Sequence, residues 1–394
     1  MFPISPPPAG RALSVGFATA LVAALALSGC SSAPKAAKKT PAAPTTTVVP
    51  TPAPFTATGV PSALADVIRP LYFGGAVPAS PSAVATLLKR KPVNAAGPVV
   101  VTGEVASWKG VPIAVVTSGN DVTLAVAAPR WKVVGGWWPS IGLAAPSLGG
   151  VRRVLVVGSD ARPGQPVDHS RGDSLHIVAL DGHGGGGVLG IPRDSYVPLA
   201  TGGRGKINSA LTFGGPVGLQ RTVISLTGVR LEGYLLTGFG GFEKLINGIG
   251  RLPVKAPVAV RDVMSGANVR AGVNNLNGAQ ALAYGRARHG VADGDFGRSA
   301  NQGRIIMAAA GFAKLLGPPK LPALLAKAAP NIATNLSAEQ VLTLAAGVFV
   351  ANPGKVNNRV VIGGFGMTSD GQSIVLLDAN ARRMFADIRD GNLS

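Results

Sequence analysis

Three apolar runs between Val154 and Ile191 constrain the fold of this 394-residue chain more than any other feature. Val154-Leu155-Val156-Val157 stops at Gly158-Ser159-Asp160, and Leu175-His176-Ile177-Val178-Ala179-Leu180 stops at Asp181. Val188-Leu189-Gly190-Ile191 stops at Pro192-Arg193-Asp194. Runs that are apolar throughout, rather than at alternate positions, belong to buried strands. Helical patterns follow over about 216–227, 239–248, 277–285 and 299–316, with two more between Leu321 and Leu344. Val360-Val361-Ile362 and Ser373–Leu377 read as late strands, and Ala379–Ile388 as a final helix. Strands with polar residues at their carboxyl ends, followed by helices, predict an α/β fold with a site along one sheet edge.

Upstream, residues 61–150 have a different texture. Val99-Val100-Val101, Ile113-Ala114-Val115-Val116 and Val122-Thr123-Leu124-Ala125-Val126 alternate with Gly, Pro and Asn, and a short helix is expected around Ala63–Ile68. This is a small strand-rich module. Trp108, Trp131, Trp137 and Trp138 all fall within it. Core packing is the favoured role for them, with a sugar platform or a membrane-facing edge as the alternatives.

The first 60 residues direct the chain rather than fold it. An apolar run from Ala12 ends in Leu27-Ser28-Gly29-Cys30, and Cys30 is the single cysteine of the chain. Small residues directly before a lone cysteine resemble the bacterial lipobox, so residues 1–29 are expected to be a lipoprotein signal peptide and Cys30 the lipidated residue. An uncleaved N-terminal anchor is the alternative. Residues 30–60, rich in Pro, Thr and Ala, read as a tether reaching on the order of 90 Å if extended. Lys35, Lys38 and Lys39 lie in it, either against anionic lipid or as a solvated charge run. Both tether readings place residues 31–394 outside the cytoplasm, on the outer face of its membrane. The formal charge of +19 then points away from nucleic acid and toward anionic lipids, phosphorylated lipids or acidic wall polymers.

Residues 151–394 carry the chemistry. Asp160 follows one strand and Asp173 precedes the next, a pair suited to Mg²⁺ or Mn²⁺, which keep waters and bridge to phosphates. Arg162, Arg171 and Arg193 accompany them, with Lys206 and Asn208 close behind in Gly205-Lys206-Ile207-Asn208. Guanidinium forks match phosphate oxygens, although salt bridges to Asp160, Asp173 and Asp194 are an equally good use of them. Farther on, Arg286 and Arg288 alternate and would point one way on an extended segment. Arg298 and Gln302 share a helix face at i,i+4.

No Gly-x-Ser-x-Gly elbow, His-Glu-x-x-His pair or Walker loop occurs. Gly184-Gly185-Gly186-Gly187 precedes a strand and reads as a hairpin loop, and the four histidines lack ligand spacing. Metal-assisted phosphoryl transfer with arginine charge stabilisation is the chemistry these residues support best.

The motifs Val154–Asp160, Arg171-Gly172-Asp173-Ser174, Ile191-Pro192-Arg193-Asp194-Ser195-Tyr196-Val197, Lys206-Ile207-Asn208-Ser209-Ala210, Leu276–Tyr284, Arg286-Ala287-Arg288-His289 and Asp293–Arg298 stand in the order known for the LytR-CpsA-Psr family. The resemblance runs from about 151 to at least 310, and the tail to 394 looks like that family's usual continuation. It implies a central mixed β-sheet flanked by helices (α/β/α), with an apolar pocket for a lipid tail. It also implies an extracytoplasmic enzyme moving a glycopolymer from a polyprenyl-pyrophosphate carrier onto peptidoglycan. Carried over, Asp160 and Asp173 correspond to the aspartates near Mg²⁺, and Arg162, Arg193, Arg286, Arg288, Arg298 and Gln302 to the pyrophosphate-binding set, with Lys206 nearby. Arg193, Arg286 and Arg288 are expected to take the charge growing on the polyprenyl-phosphate leaving group. Two departures stand out: Gly172-Asp173-Ser174 replaces the usual Ser-Asp-Thr, and Asn301 stands where an arginine often precedes the glutamine, removing a charge at the site's margin. Arabinogalactan is the favoured polymer, because the Ala- and Gly-rich composition hints at a high-GC actinobacterium. A non-catalytic binder of polyprenyl phosphates or acidic polymers is the alternative function. A DNA-binding regulator conflicts with the export signal.

Overall fold

The computed structural model describes residues 54–90, 97–162, 164–289 and 294–394. The expected signal peptide, Cys30, residues 30–53 of the tether and Asp293 lie outside the described residues.

The first sheet holds β1 (Phe55–Thr58), β2 (Val99–Trp108), β3 (Val111–Ser118), β4 (Asp121–Ala127), β5 (Trp131–Trp138) and β6 (Leu143–Ser147), paired in sequence order. β1 is parallel to β2, so the last residues of the expected tether are strand, with Phe55 and Ala57 turned toward the core. Helices α1 (Ser62–Phe73) and α2 (Pro81–Leu87) connect β1 to β2 and cover one face through Leu64, Ile68 and Leu71. Strand residues divide by parity: Ala114, Val116 and Ala125 join that core, while Ile113, Val115 and Leu124 enter another. Burial on both faces is why these strands are apolar throughout. Trp108 and Trp138 are buried and Trp131 and Trp137 partly so, all packed in the two cores.

The second sheet follows with β7 (Arg152–Ser159), β8 (Gly172–Leu180) and β9 (Gly186–Gly190), joined as antiparallel neighbours. Gly186 and Gly187 belong to β9, so the glycine run is half loop and half strand. A small pair, β10 (Tyr196–Pro198) and β11 (Arg204–Lys206), leads into α3 (Ser209–Thr227). The helix starts seven residues before the expected position and is kinked at Gly215, whose φ of +61° precedes Pro216. That Gly-Pro pair reads as a helix start in sequence but is a break inside one. Then come β12 (Tyr234–Thr237), α4 (Phe239–Gly248), β13 (Leu252–Ala256), β14 (Val260–Asp262), β15 (Ala267–Val269) and β16 (Gly272–Leu276). Helices α5 (Gly278–Arg286), α6 (Asp295–Leu316) and α7 (Leu321–Ala328) lead to β17 (Ala333–Thr334) and α8 (Ala338–Val350). β18 (Val356–Val360), β19 (Gly363–Met367), β20 (Ser373–Leu377) and α9 (Ala379–Asp387) close the chain.

The second sheet runs β17-β12-β7-β8-β9-β18 with mixed directions, since β12 is parallel to β7 and β18 to β9. Leu155, Val157, Ile177 and Leu189 pack on one face against Leu219 and Val223 of α3 and Phe385 of α9. Val154, Val156 and Val178 turn to the other face, where α7 and α8 also pack against Leu124 and Val134 of the first sheet. Both sheets therefore share one core within one compact unit. Each fully buried leucine contributes about 2 kcal/mol by leaving water. Arg152 ties the layers together: its guanidinium donates to both oxygens of Glu232, to the Leu148 and Gln340 carbonyls and to the Thr343 hydroxyl.

Candidate active site

The site begins at a defect in the β7–β8 ladder. Gly158 pairs with Ser174 and Ser159 with Gly172, leaving Asp173 as the extra residue of a β-bulge. A bulge turns its side chain out of the alternating pattern, here toward the sheet edge where β7 ends. Asp160 lies just past that end. Its backbone N–H donates to the Arg171 carbonyl at 2.9 Å, and its Oδ1 accepts from the Arg171 N–H at 2.9 Å. Asp173 accepts from Arg193 and, at 3.4 Å, from the amide of Asn208. Arg193 sits in the Pro192–Ser195 turn after β9, and its carbonyl accepts the Asn208 N–H at 3.1 Å. The turn thus places arginine and amide on one carboxylate.

The opposite wall comes from α5 and α6. An Asn277–Gln280 capping box starts α5, which ends at Arg286. Ala287 then leaves the helix with ψ 129° and is fully buried. Arg288 and His289 donate their backbone N–H groups to Asp262 Oδ2 at 2.8 and 3.2 Å, which fixes the segment. The Arg286 guanidinium stacks 4.8 Å from the Phe239 ring centroid. From the first turn of α6, Asp295 gathers three cations: Arg288 Nε at 2.7 Å, Arg298 Nη2 at 3.0 Å and Arg193 Nε at 3.4 Å. Gln302 donates to the Gly285 carbonyl at 3.0 Å and holds α6 against α5.

These walls enclose a cavity of about 410 Å³. Asp160, Arg162, Asp173, Arg193, Arg286, Arg288, Arg298 and Gln302 all line it, so eight of the expected residues converge. Five arginines and three aspartates in the lining leave it positive. The lining also includes apolar side chains: Val156 and Val157 of β7, Phe239 and Phe242 of α4, Leu282 of α5, Ile305 and Ile306 of α6. Lys206 and Asn208 are not among the lining residues. Lys206 pairs with Asp194 at 3.2 Å, and Asn208 is buried behind Asp173. Salt bridging and cavity lining coexist in Arg193, which meets Asp173, Asp194 and Asp295. Asn301 is not among the lining residues: its side chain is buried and accepts from Arg304 at 2.7 Å.

Charge and burial oppose each other throughout. Burial, with Arg193 alongside, brings the Arg298 guanidinium down to about 10 against the pull of Asp295 and Asp173. Burial acts the same way on Arg193, but Asp173, Asp295 and Asp194 outweigh it and raise its pKa. Burial would raise Asp295, and Arg298, Arg193 and Arg288 hold it below the usual carboxylate range. Beneath the cavity floor His176 is completely buried. Its Nε2–H donates to the Ser299 carbonyl at 3.1 Å, since a carbonyl only accepts, and Nδ1 then accepts from Ser174 at 3.2 Å. Desolvation lowers its pKa to about 4.

Sequence reasoning missed Asp295 and Ser174 as site residues, though both stood in quoted motifs, and missed Phe239 and Asp262 altogether. Asp295 stood inside a quoted motif, and three arginines with no acid assigned to gather them were the available signal. Among the described residues no group of three or more His, Cys, Asp or Glu converges as a metal site. Asp160 and Asp173 nonetheless suit a hard cation that takes one or two protein carboxylates and completes its shell from phosphate and water. The second oxygen of Asp160 has no hydrogen-bond partner among the described residues, so the donor set fits Mg²⁺.

The LytR_cpsA_psr family profile matches residues 147–387. This chain belongs to the LytR-CpsA-Psr family. "Probable cell wall biosynthesis protein LcpB" of Corynebacterium glutamicum is 28% identical over 251 residues, covering 60% of each chain. TagV of Bacillus subtilis, a polyisoprenyl-teichoic acid–peptidoglycan teichoic acid transferase, is 34% identical over 184 residues, 44% of this chain and 47% of that protein. The chain thus spans roughly half the length of the curated relatives it matches. The crystal structure of TagV superposes with a TM-score of 0.53 at 28% identity, covering 61% of this chain and 98% of TagV's. The mixed α/β fold is that of known LytR-CpsA-Psr structures.

Proposed function

We propose that this LytR-CpsA-Psr protein is an extracytoplasmic phosphotransferase that moves a glycopolymer from a polyprenyl-pyrophosphate carrier onto peptidoglycan. The observation that carries this reading is one cavity lined both by five arginines and by apolar side chains of β7, α4, α5 and α6. An amphiphile with a polyanionic head and a hydrocarbon tail is the ligand such a chamber selects. TagV's activity supports the same reaction class. Arabinogalactan is the polymer we favour, supported by the likeness to LcpB of Corynebacterium and the Ala- and Gly-rich composition.

Arg193, Arg286 and Arg288 bind the pyrophosphate and stabilise the charge that grows on the departing polyprenyl phosphate. Arg298 and Gln302 orient the head group, with Arg162 adding a further positive charge to the lining. Asp160 and Asp173 are the residues that would hold Mg²⁺, which when bound supplies charge neutralisation at the phosphates. A muramyl 6-hydroxyl oxygen attacks the glycan-bearing phosphorus, the bridging P–O bond breaks with its electron pair leaving on polyprenyl phosphate, and the hydroxyl proton passes to a carboxylate. That carboxylate is whichever of Asp160 and Asp173 the metal leaves free, and Asp160 is the less encumbered because Asp173 is held by Arg193 and Asn208. Lys206 holds Asp194 and thereby the Arg193 turn. Cys30, lipidated, anchors the chain to the outer face of the cytoplasmic membrane. Among the described residues no helix is long and apolar enough to cross a membrane.

The test is turnover by the purified full chain with a lipid-linked oligosaccharide and peptidoglycan, with and without chelator. Mg²⁺-dependent release of polyprenyl phosphate with saccharide appearing on peptidoglycan is expected. Saturable donor binding with no release would make the protein a binder and overturn the reading.

A further inference from the structure

Beside the cavity, residues 251–276 expose apolar side chains and positive charge but no acid. β14 and β15 form a hairpin whose tip is Val263-Met264-Ser265-Gly266, with Gly266 at φ +76° where a side chain would be strained. Val263 is 98% exposed and Met264 80%, and Val258 and Val273, beyond the base of the hairpin, are exposed at 55% and 69%. Val273 faces Lys255 directly across the β13–β16 pair, Arg261 is exposed in β14 two residues before the tip, and Arg270 is exposed just past β15 at the base of the hairpin. The only acid between residues 244 and 289 is Asp262. It is buried and accepts the backbone N–H groups of Met264, Arg288 and His289, so its charge is turned inward. The same bonds lock the hairpin to the Arg286–Arg288 segment, and Met264 and Ser265 line the cavity itself.

Apolar tips this exposed mark a contact surface, and exposed Lys and Arg in a segment whose one acid is turned inward match the interface of an anionic bilayer. A glycopolymer would be met by polar side chains instead. We propose that the β14–β15 hairpin seats Val263 and Met264 in an anionic lipid bilayer and so sets the cavity against the membrane surface. A lipid carrier then passes from bilayer to chamber without crossing water; that last step rests on the function proposed above, whereas the docking does not.

The test uses the full chain on vesicles of phosphatidylcholine, with or without phosphatidylglycerol, doped with phosphatidylcholine bearing a photoactivatable group in its acyl chain. After irradiation and digestion, lipid adducts are mapped by mass spectrometry. Adducts on the segment holding Val263 and Met264 are expected, several-fold more abundant with phosphatidylglycerol. Val263→Asp combined with Val273→Asp should abolish them with unchanged thermal unfolding, and Arg261→Gln with Arg270→Gln should remove the phosphatidylglycerol dependence. Adducts confined to other segments, or equal in wild type and the Asp variant, would overturn the proposal. Donor turnover in detergent, where no bilayer exists, should be the same in wild type and the Asp variant. Turnover missing from both would instead contradict the transferase reading and leave the adduct result standing.

Discussion

Arg288 brings its Nε to 2.7 Å from Asp295, yet Asp295 Oδ1 receives no hydrogen bond, because the N–H does not point at it. Arg298, deeply buried, and Arg193 hold the other oxygen of the same carboxylate. Arg288, with half its side chain in solvent, is the least anchored of the three and the one an entering phosphate recruits most readily. Asp295 therefore acts as a resident anion that keeps three guanidiniums together until the substrate's anion replaces part of its role.

Removing that anion should cost stability. Asp295→Asn keeps the shape but leaves buried Arg298 with a diminished counter-charge, a loss of about 3 kcal/mol. Thermal unfolding should show a lower midpoint for Asp295→Asn, partly restored by adding Arg298→Met. A midpoint equal to wild type would mean that Asp295 does not hold the cluster.

Arg286 and Arg288 should matter to rate far more than to folding, since both are exposed. Alanine at either position should remove about 2–4 kcal/mol of charge stabilisation, a loss of roughly 30- to 1,000-fold in turnover. Lysine should rescue only part of it, lacking the fork, and at Arg286 it also weakens the stack on Phe239. Near-wild-type turnover of Arg288→Ala, measured as polyprenyl phosphate released, would refute the assignment.

His176 links stability to pH. Its folded pKa of about 4 lies below the ordinary 6.5, so between those values the unfolded chain binds more protons. The contribution is fully present above pH 6.5 and is lost as pH falls toward 4, by on the order of 3 kcal/mol. Denaturant titrations from neutral to acidic pH should show a steeper decline for wild type than for His176→Gln. Parallel declines would place the acid sensitivity elsewhere.

Much of the fold was legible because burial on two faces writes itself as unbroken apolar runs. Val154–Val157 and Leu175–Leu180 became the central strands β7 and β8, and the helix expected at 239–248 is α4. The strands of three to five residues between 234 and 276 were not legible, since each is too short to show a period, and β13 to β16 have no unbroken apolar run. Asp160 and Asp173 could be paired from their positions at strand ends, but the bulge that turns Asp173 toward the edge leaves no mark in sequence. Asp295 was overlooked for a related reason. Its role depends on Arg193, about a hundred residues away in the chain, reaching the same carboxylate as its helix neighbour Arg298.

The most direct measurement is a structure of the full chain bound to a polyprenyl-pyrophosphate saccharide. Phosphate oxygens are expected within hydrogen-bond reach of Arg193, Arg286 and Arg288, the tail between Phe242, Leu282 and Ile306, and Asp160 and Asp173 beside the head group. A pyrophosphate bound away from these arginines, or a tail lying outside the chamber, would contradict the proposed function.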